Sequence, residues 1–279
     1  MARQFCLLGG VLLLMFTVVS GSVQACVGAR PLAMGGAFIA VADDANAVYW
    51  NPAGLVQLAG KSQSTSMLTL AGGINYQWFF ASVERYDQVV VGVSGINSLS
   101  GLDFDSDRNV DALLDNTWYQ FSVALPLDEN LTLGANLKFY QPQLYILDPR
   151  VGYTTQAAGM DIAIHWQASE QLRVGLLSQD ITGSKFYYPI GYIAMATNVR
   201  PGIAYDLDED TTVAMDIYDL TGRRQVSAGI EKRYEQGALR AGYYHDTWTA
   251  GFGLNAGQNF AFDYCYIYDS HLVSLRWNF

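Results

Sequence analysis

From Ser62 to Phe279, apolar and polar side chains take turns along the chain, in segments of about ten residues separated by turn-like stretches. The clearest segment has Leu131, Leu133, Ala135, Leu137 and Phe139 on one face and Thr132, Gly134, Asn136, Lys138 and Tyr140 on the other. Further on, Trp248, Ala250, Phe252 and Leu254 oppose Thr249, Gly251, Gly253 and Asn255. Phe260, Phe262, Tyr264, Tyr266 and Tyr268 oppose Ala261, Asp263 and Cys265. After the leader there is no run of about 18 apolar residues, so spanning helices are excluded. Strands that cross lipid leave no edge unpaired, because lipid offers backbone groups no partner. The alternation therefore predicts an all-β fold, a closed antiparallel transmembrane β-barrel over residues 61–279.

Fourteen such segments begin near residues 62, 74, 87, 117, 130, 156, 170, 198, 210, 224, 236, 247, 258 and 270. An even number closes an antiparallel barrel with both ends on one side. Every second connection is brief: 85–87, 126–130, 168–171, 206–210, 234–237 and 255–258. The three long ones, 98–116, 142–155 and 180–197, all fall at the other end, the asymmetry of an outer-membrane barrel.

Charge follows the same phase. A Lys or Arg facing lipid at mid-bilayer costs about 2–4 kcal/mol. Lys138, Asp161, Arg173, Arg200, Asp216, Glu231, Arg240, Asp263 and Arg276 all fall on the inward face. Glu84 and Lys232 point outward only at strand ends. The inward face also carries Gly92, Gly134, Gly175, Gly202, Gly229, Gly242, Gly251 and Gly253. Each weakens a regular strand by about 0.5–1 kcal/mol relative to Ala, so the row makes room for something or bends the wall.

The candidate occupant precedes the strands. Residues 1–25 read as a secretory signal, with Arg3, the apolar stretch 7–19 and a small-residue cleavage site at Ala25. Cys26 follows that site, which leaves lipidation open. Cys26 and Cys265 are the two cysteines of the mature chain, either bridged or free. Residues 26–60 are small, apolar and nearly uncharged, and are read as an N-terminal plug or as a compact N-terminal subdomain. The plug is favoured because the strands that follow have no core of their own. Within it, Arg30-Pro31 is expected to be extended. Asp43 or Asp44 is expected to cap a short helix through Tyr49, and Asn51-Pro52 to cap and start a further turn. Arg30, Asp43 and Asp44 are expected to dock on lumen charges.

The block GARPLAMGGAFIAVADDANAVYWNPAGL, residues 28–55, resembles the N-terminal signature of FadL-type and PorV/PorQ-type outer-membrane proteins. The matching positions include Arg30, Met34, Gly35, Asp43, Asp44, Asn51, Pro52, Ala53 and Gly54. A FadL-type resemblance implies a bacterial outer-membrane channel for hydrophobic small molecules, with a fatty-acid-like ligand that passes when the plug shifts. A PorV/PorQ-type resemblance implies instead a barrel that binds a protein partner in secretion or surface attachment. The last strand, with Val273, Leu275, Trp277 and terminal Phe279 on one face, resembles the signal that such barrels present to their assembly machinery.

Other chemistries find little support. His165 and Asp161 share a strand face, but no nucleophile motif accompanies them, so no enzyme is expected. The acidic stretch 103–111 has the odd-position spacing of a calcium loop but carries Arg108 where the turn Gly belongs. It reads as a solvated outer loop that could gather divalent cations. No metal or cofactor is expected. A net charge of −10, one unit more negative once Arg3 leaves with the leader, argues against a nucleic-acid partner.

Overall fold

The computed structural model describes residues 27–69, 76–102, 110–148, 150–188 and 191–279. In chain order the strands are β1 (Ser62–Thr69), β2 (Tyr76–Tyr86), β3 (Val89–Leu102), β4 (Ala112–Pro126), β5 (Leu131–Tyr140), β6 (Gln143–Ile146), β7 (Val151–Thr154), β8 (Ala157–Gln167), β9 (Leu172–Gln179), β10 (Lys185–Tyr188), β11 (Gly191–Ala194), β12 (Asn198–Asp208), β13 (Thr211–Tyr218), β14 (Gln225–Tyr234), β15 (Gly237–Tyr244), β16 (Thr247–Ala256), β17 (Phe260–Ile267) and β18 (Ser270–Asn278). All but β6, β7, β10 and β11 form one antiparallel ring of 14 strands. It closes where β1 pairs with β18, Ser62 opposite Asn278 and Ser66 opposite Ser274.

The fourteen segments foreseen from alternation are the fourteen strands of this ring, with starts displaced by a few residues. The largest displacement is β4, which begins at Ala112 rather than near 117. Its early residues Ala112–Asp115 pair with β6, so the sheet continues past the ring. Two of the three long connections are thus not plain loops: 142–155 folds as the β6–β7 hairpin and 180–197 contains the β10–β11 hairpin. Residues 103–109 of the third, including Asp103, Asp105 and Asp107, lie outside the described residues, as do residues 1–26 with Cys26.

Burial alternates along the ring. On β8, Met160, Ile162, Ile164 and Trp166 are exposed while Asp161, Ala163 and His165 are buried. On β5, Leu133, Leu137 and Phe139 are exposed while Asn136 and Lys138 are buried. An apolar belt of this extent is foreign to a water-soluble surface and is what a wall facing lipid requires. The two-residue turns β15–β16 and β17–β18 hold His245, Asp246, Tyr268 and Asp269 at positive φ, the geometry that matches strand twist.

Residues 27–58 fill the inside of the ring with little regular structure. There are two short helices, Ala29–Ala33 and Ala47–Trp50, and a 3-10 helix Pro52–Gln57. The Asn51 side chain accepts from Ala53 N and Pro52 opens that last helix, as its sequence suggested. Two local expectations are corrected. Arg30 and Pro31 are helical, not extended, because Pro is tolerated in a first turn where its missing N–H has no partner anyway. Asp44 does not cap the second helix, whose N-cap residue is Asn46 with no side-chain cap. Its carboxylate instead accepts from Asn46 N and Nδ2 in a tight turn.

Candidate functional site

Glycines on the wall decide how closely the N-terminal segment approaches. A Cβ at Gly134 would come within 3.0 Å of Ala53 and Pro52, at Gly175 of Ile39, at Gly229 of Met34, and at Gly242 of Gly35. Gly35 itself has φ 66° and lies against the backbones of Ala228 and Tyr243, so both sides of this crossing are bare of side chains. Gly92 and Gly251 receive Val48 and Ala33 in the same way. Gly253 differs, because its neighbours are the Asp263 and Arg240 side chains.

A buried segment with so little helix must find partners for its backbone on the wall. Ala29 N donates to Ser274 Oγ at 2.7 Å, and Phe38 N and Ile39 N both donate to Asp216 Oδ2 at 2.7 and 2.9 Å. Val48 O accepts from Gln120 and Asn136, Ala40 O from His165 Nε2, and Ala33 O from Thr249. Asn51 Nδ2 donates to Ile39 O within the segment and to Ile164 O on the wall. Arg85 clamps the exit by donating to Leu58 O and Val56 O.

Toward the end with the short turns lies an ion-pair network. Arg30 contacts Asp43 at 2.5 Å, Asp44 at 2.9 Å and Glu231 at 2.9 Å. Arg240 joins Glu231 to Asp263, at 2.6 and 2.8 Å, and Arg276 joins Asp263 to Asp44, at 2.5 and 3.5 Å. The network floors a recess of about 270 Å³ whose rim includes Arg233 and Tyr234. Low dielectric strengthens each contact and equally penalises any partner left alone.

The opposite end is aromatic. Trp118 and Tyr140 pack at 6.1 Å, and Phe186 of β10 meets Tyr140 edge-on at 5.4 Å. Beneath it Lys138 pairs with Asp161 at 2.8 Å, and Tyr140 donates to Asp180. Burial pushes Asp180, just past β9, above the usual carboxylate range despite Lys138. In the β15–β16 turn, burial and then Arg200 lower the His245 pKa from 6.5 to about 4. Because the folded value lies below the unfolded one, this residue's contribution to stability is complete above about pH 6.5 and is lost as pH falls toward 4. His245→Asn should therefore flatten the pH dependence of thermal melting across that window; parallel curves for the two proteins would contradict it.

The residues singled out in the sequence thus fall into groups. Arg30, Asp43, Asp44, Glu231, Arg240 and Asp263 come together, with Arg276. Met34, Gly35, Asn51, Ala53 and Asp216 meet where segment and wall touch, and Gly54 packs on Ala42 within the segment. Arg173 stands apart with Asp206, and Lys138 with Asp161. Asp161 and His165 make no joint site, being bonded to Lys138 and to Ala40 O respectively. Trp277 opposes Phe260 on the outer face, and Phe279 is exposed with its N–H on Lys61 O. Sequence reading passed over Arg85, Gln120, Thr249 and Ser274, ordinary strand residues whose role depends on which carbonyl or N–H arrives opposite them.

No protein-family model matches this chain, and no curated protein matches its sequence. Solved structures do match its fold. The CymD monoaromatic hydrocarbon channel aligns with TM-score 0.66 and 16% identity, over 90% of this chain and 95% of that one. The P. putida toluene transporter TodX aligns with TM-score 0.68 and 14% identity, over 91% and 98%. A Pseudomonas aeruginosa FadL homologue aligns with TM-score 0.64 and 10% identity, over 87% and 95%. The chain has the fold of FadL-type outer-membrane channels.

Proposed function

We propose that the protein is a plugged channel in the bacterial outer membrane that admits hydrophobic small molecules. The observation that carries this reading is the asymmetry of the bore. One end offers the Trp118, Tyr140 and Phe186 rings; the other is closed by the ion pairs of Arg30; residues 27–58 lie between them. An apolar guest gains by leaving water for aromatic side chains and gains nothing from a floor of salt bridges. In this reading residues 26–60 are the plug, residues 1–25 a removed leader, and Trp277 and Phe279 the assembly signal. The hydrocarbon guests named for CymD and TodX suggest the guest class. Nothing among the described residues favours a secretion-partner role.

Purified protein in liposomes should take up labelled toluene faster than protein-free vesicles, and not labelled glucose. Equal rates for the two solutes would refute the reading. Phe186→Ala should slow toluene uptake roughly two- to tenfold, since an aromatic pair is worth about 0.5–1.5 kcal/mol. Mass spectrometry after mild detergent extraction should find an apolar molecule carried along.

A further inference from the structure

Arg200 differs from the other buried cations of the bore. Arg30, Lys138, Arg173 and Arg240 each hold a carboxylate within 3 Å. Arg200 is 4% exposed, yet among the described residues its side chain has no ion pair and no hydrogen bond, and its Nε and Nη1 are both enclosed without a partner. Its guanidinium lies 3.9 Å from the Tyr218 ring centre and 5.8 Å from that of Trp50. Aromatic faces favour a cation but do not replace the water it has lost or accept its in-plane N–H groups. His245, stacked on Tyr244 at 3.9 Å and 5.0 Å from Tyr218, has an equally unpartnered Nε2.

These groups share a void of about 10 Å³, room for one small atom. Asp216 also lines it, but beyond ion-pair distance from Arg200. Its Oδ2 is committed to Phe38 N and Ile39 N, and its Oδ1 has no partner. The wall is less tightly laddered here. Pairing of β12 with β13 begins only at Gly202 opposite Asp216, and Pro201, which has no N–H to give, separates Arg200 from that point.

We propose that Arg200 anchors a binding site for one compact monovalent anion, either a free halide or the carboxylate of a small aromatic acid, among Trp50, Tyr218 and His245. A carboxylate places one oxygen in the void, and a halide, larger than water, enters it as the surrounding rings give way. The carboxylate case rests on the channel reading above; the halide case does not. A neutral hydrocarbon offers Arg200 nothing, so the site would separate acidic aromatic guests from neutral ones of the same shape.

The test uses whole protein in detergent: wild type, Arg200→Gln and Arg200→Lys. Ionic strength is held constant while sulfate is exchanged for bromide, and benzoate is compared with benzamide by calorimetry. Arg200→Gln removes a charge that has no ion pair, so it should fold, and its melting temperature in sulfate checks this. The expected result is a bromide-dependent rise in melting temperature for wild type that Arg200→Gln lacks, and a bromide anomalous-scattering peak beside Arg200. Benzoate should bind at least tenfold more tightly than benzamide, with that preference lost in Arg200→Gln and kept in part by Arg200→Lys. Bromide binding without benzoate preference supports a free-ion site, and benzoate preference without a bromide peak supports a guest carboxylate. Equal responses in wild type and Arg200→Gln, or water alone in the void, overturn the proposal. Toluene uptake without any anion response would leave the channel standing and remove this site; an anion response without uptake would do the reverse.

Discussion

Replacing Arg30 by methionine should unseat the N-terminal segment and leave a barrel that leaks. Arg30 is the one cation that the segment brings to the network among the described residues, and it touches three carboxylates, Asp43, Asp44 and Glu231. Without it, Arg240 and Arg276 still face Glu231, Asp263 and Asp44, but Asp43 loses its ion pair and Glu231 loses a two-pronged partner. Breaking a buried pair from one side costs about 3–5 kcal/mol, because the surviving charge is left without compensation. That is comparable to what holds a short, largely irregular segment in place. Planar-bilayer recordings should show ion conductance in the variant where wild type is closed, and protease should cut residues 27–58 from an intact barrel. Adding Asp43→Asn should recover part of the closure by removing the charge left without an ion pair. A variant as silent and as protease-resistant as wild type would mean that packing alone holds the segment.

A second large effect is expected from two methyl groups. Gly229 and Gly242 are cross-strand partners, and together they receive the backbone of Met34 and Gly35. Gly229→Ala or Gly242→Ala places a Cβ within 3.0 Å of main-chain atoms that no rotamer change can move aside. Such overpacking costs about 1–3 kcal/mol. Because both substitutions push on the same turn, the double variant should lose less than the sum of the two. Gly95→Ala is the control. Its Cβ would meet only the Tyr119 and Trp78 side chains, at 3.5 and 3.6 Å, and its melting temperature should hardly change. The readout is conductance together with the heat-dependent gel mobility of the folded barrel. Normal mobility with new conductance is expected; loss of the folded band would place the damage in the wall instead.

Much of the wall could be read from local pattern. Lipid on one side and a filled bore on the other impose a period of two on each strand by itself, so strand phase needs no knowledge of neighbours. That is why Asp161, Asp216, Glu231 and Asp263 could be assigned to the inner face one strand at a time. Local pattern fails where a residue's state depends on a distant partner. Gln143–Ile146 looked like loop because it is pairing with β7 and with the early residues of β4 that makes it a strand. Arg30-Pro31 looked extended because the helix there is set by how the chain folds back inside the ring. The pairing of Arg30 with Glu231, rather than with any other inward carboxylate, spans 201 positions and leaves no trace in either neighbourhood. The isolation of Arg200 was equally hidden, since its inward phase matches that of Arg240, which is fully paired.

The bond from Ala29 N to Ser274 Oγ joins positions 245 apart, and Ser274 belongs to the strand that also seals the seam with β1. The segment that begins at Val27 therefore acquires its seat only when the final hairpin has arrived. Contacts of such long range form slowly, so this segment should settle during or after the last stitch of the cylinder, not serve as a mandrel for it. Chains cut short before β18 should stay both unsealed and uncorked, and a pulse-chase during assembly should see these two properties appear together.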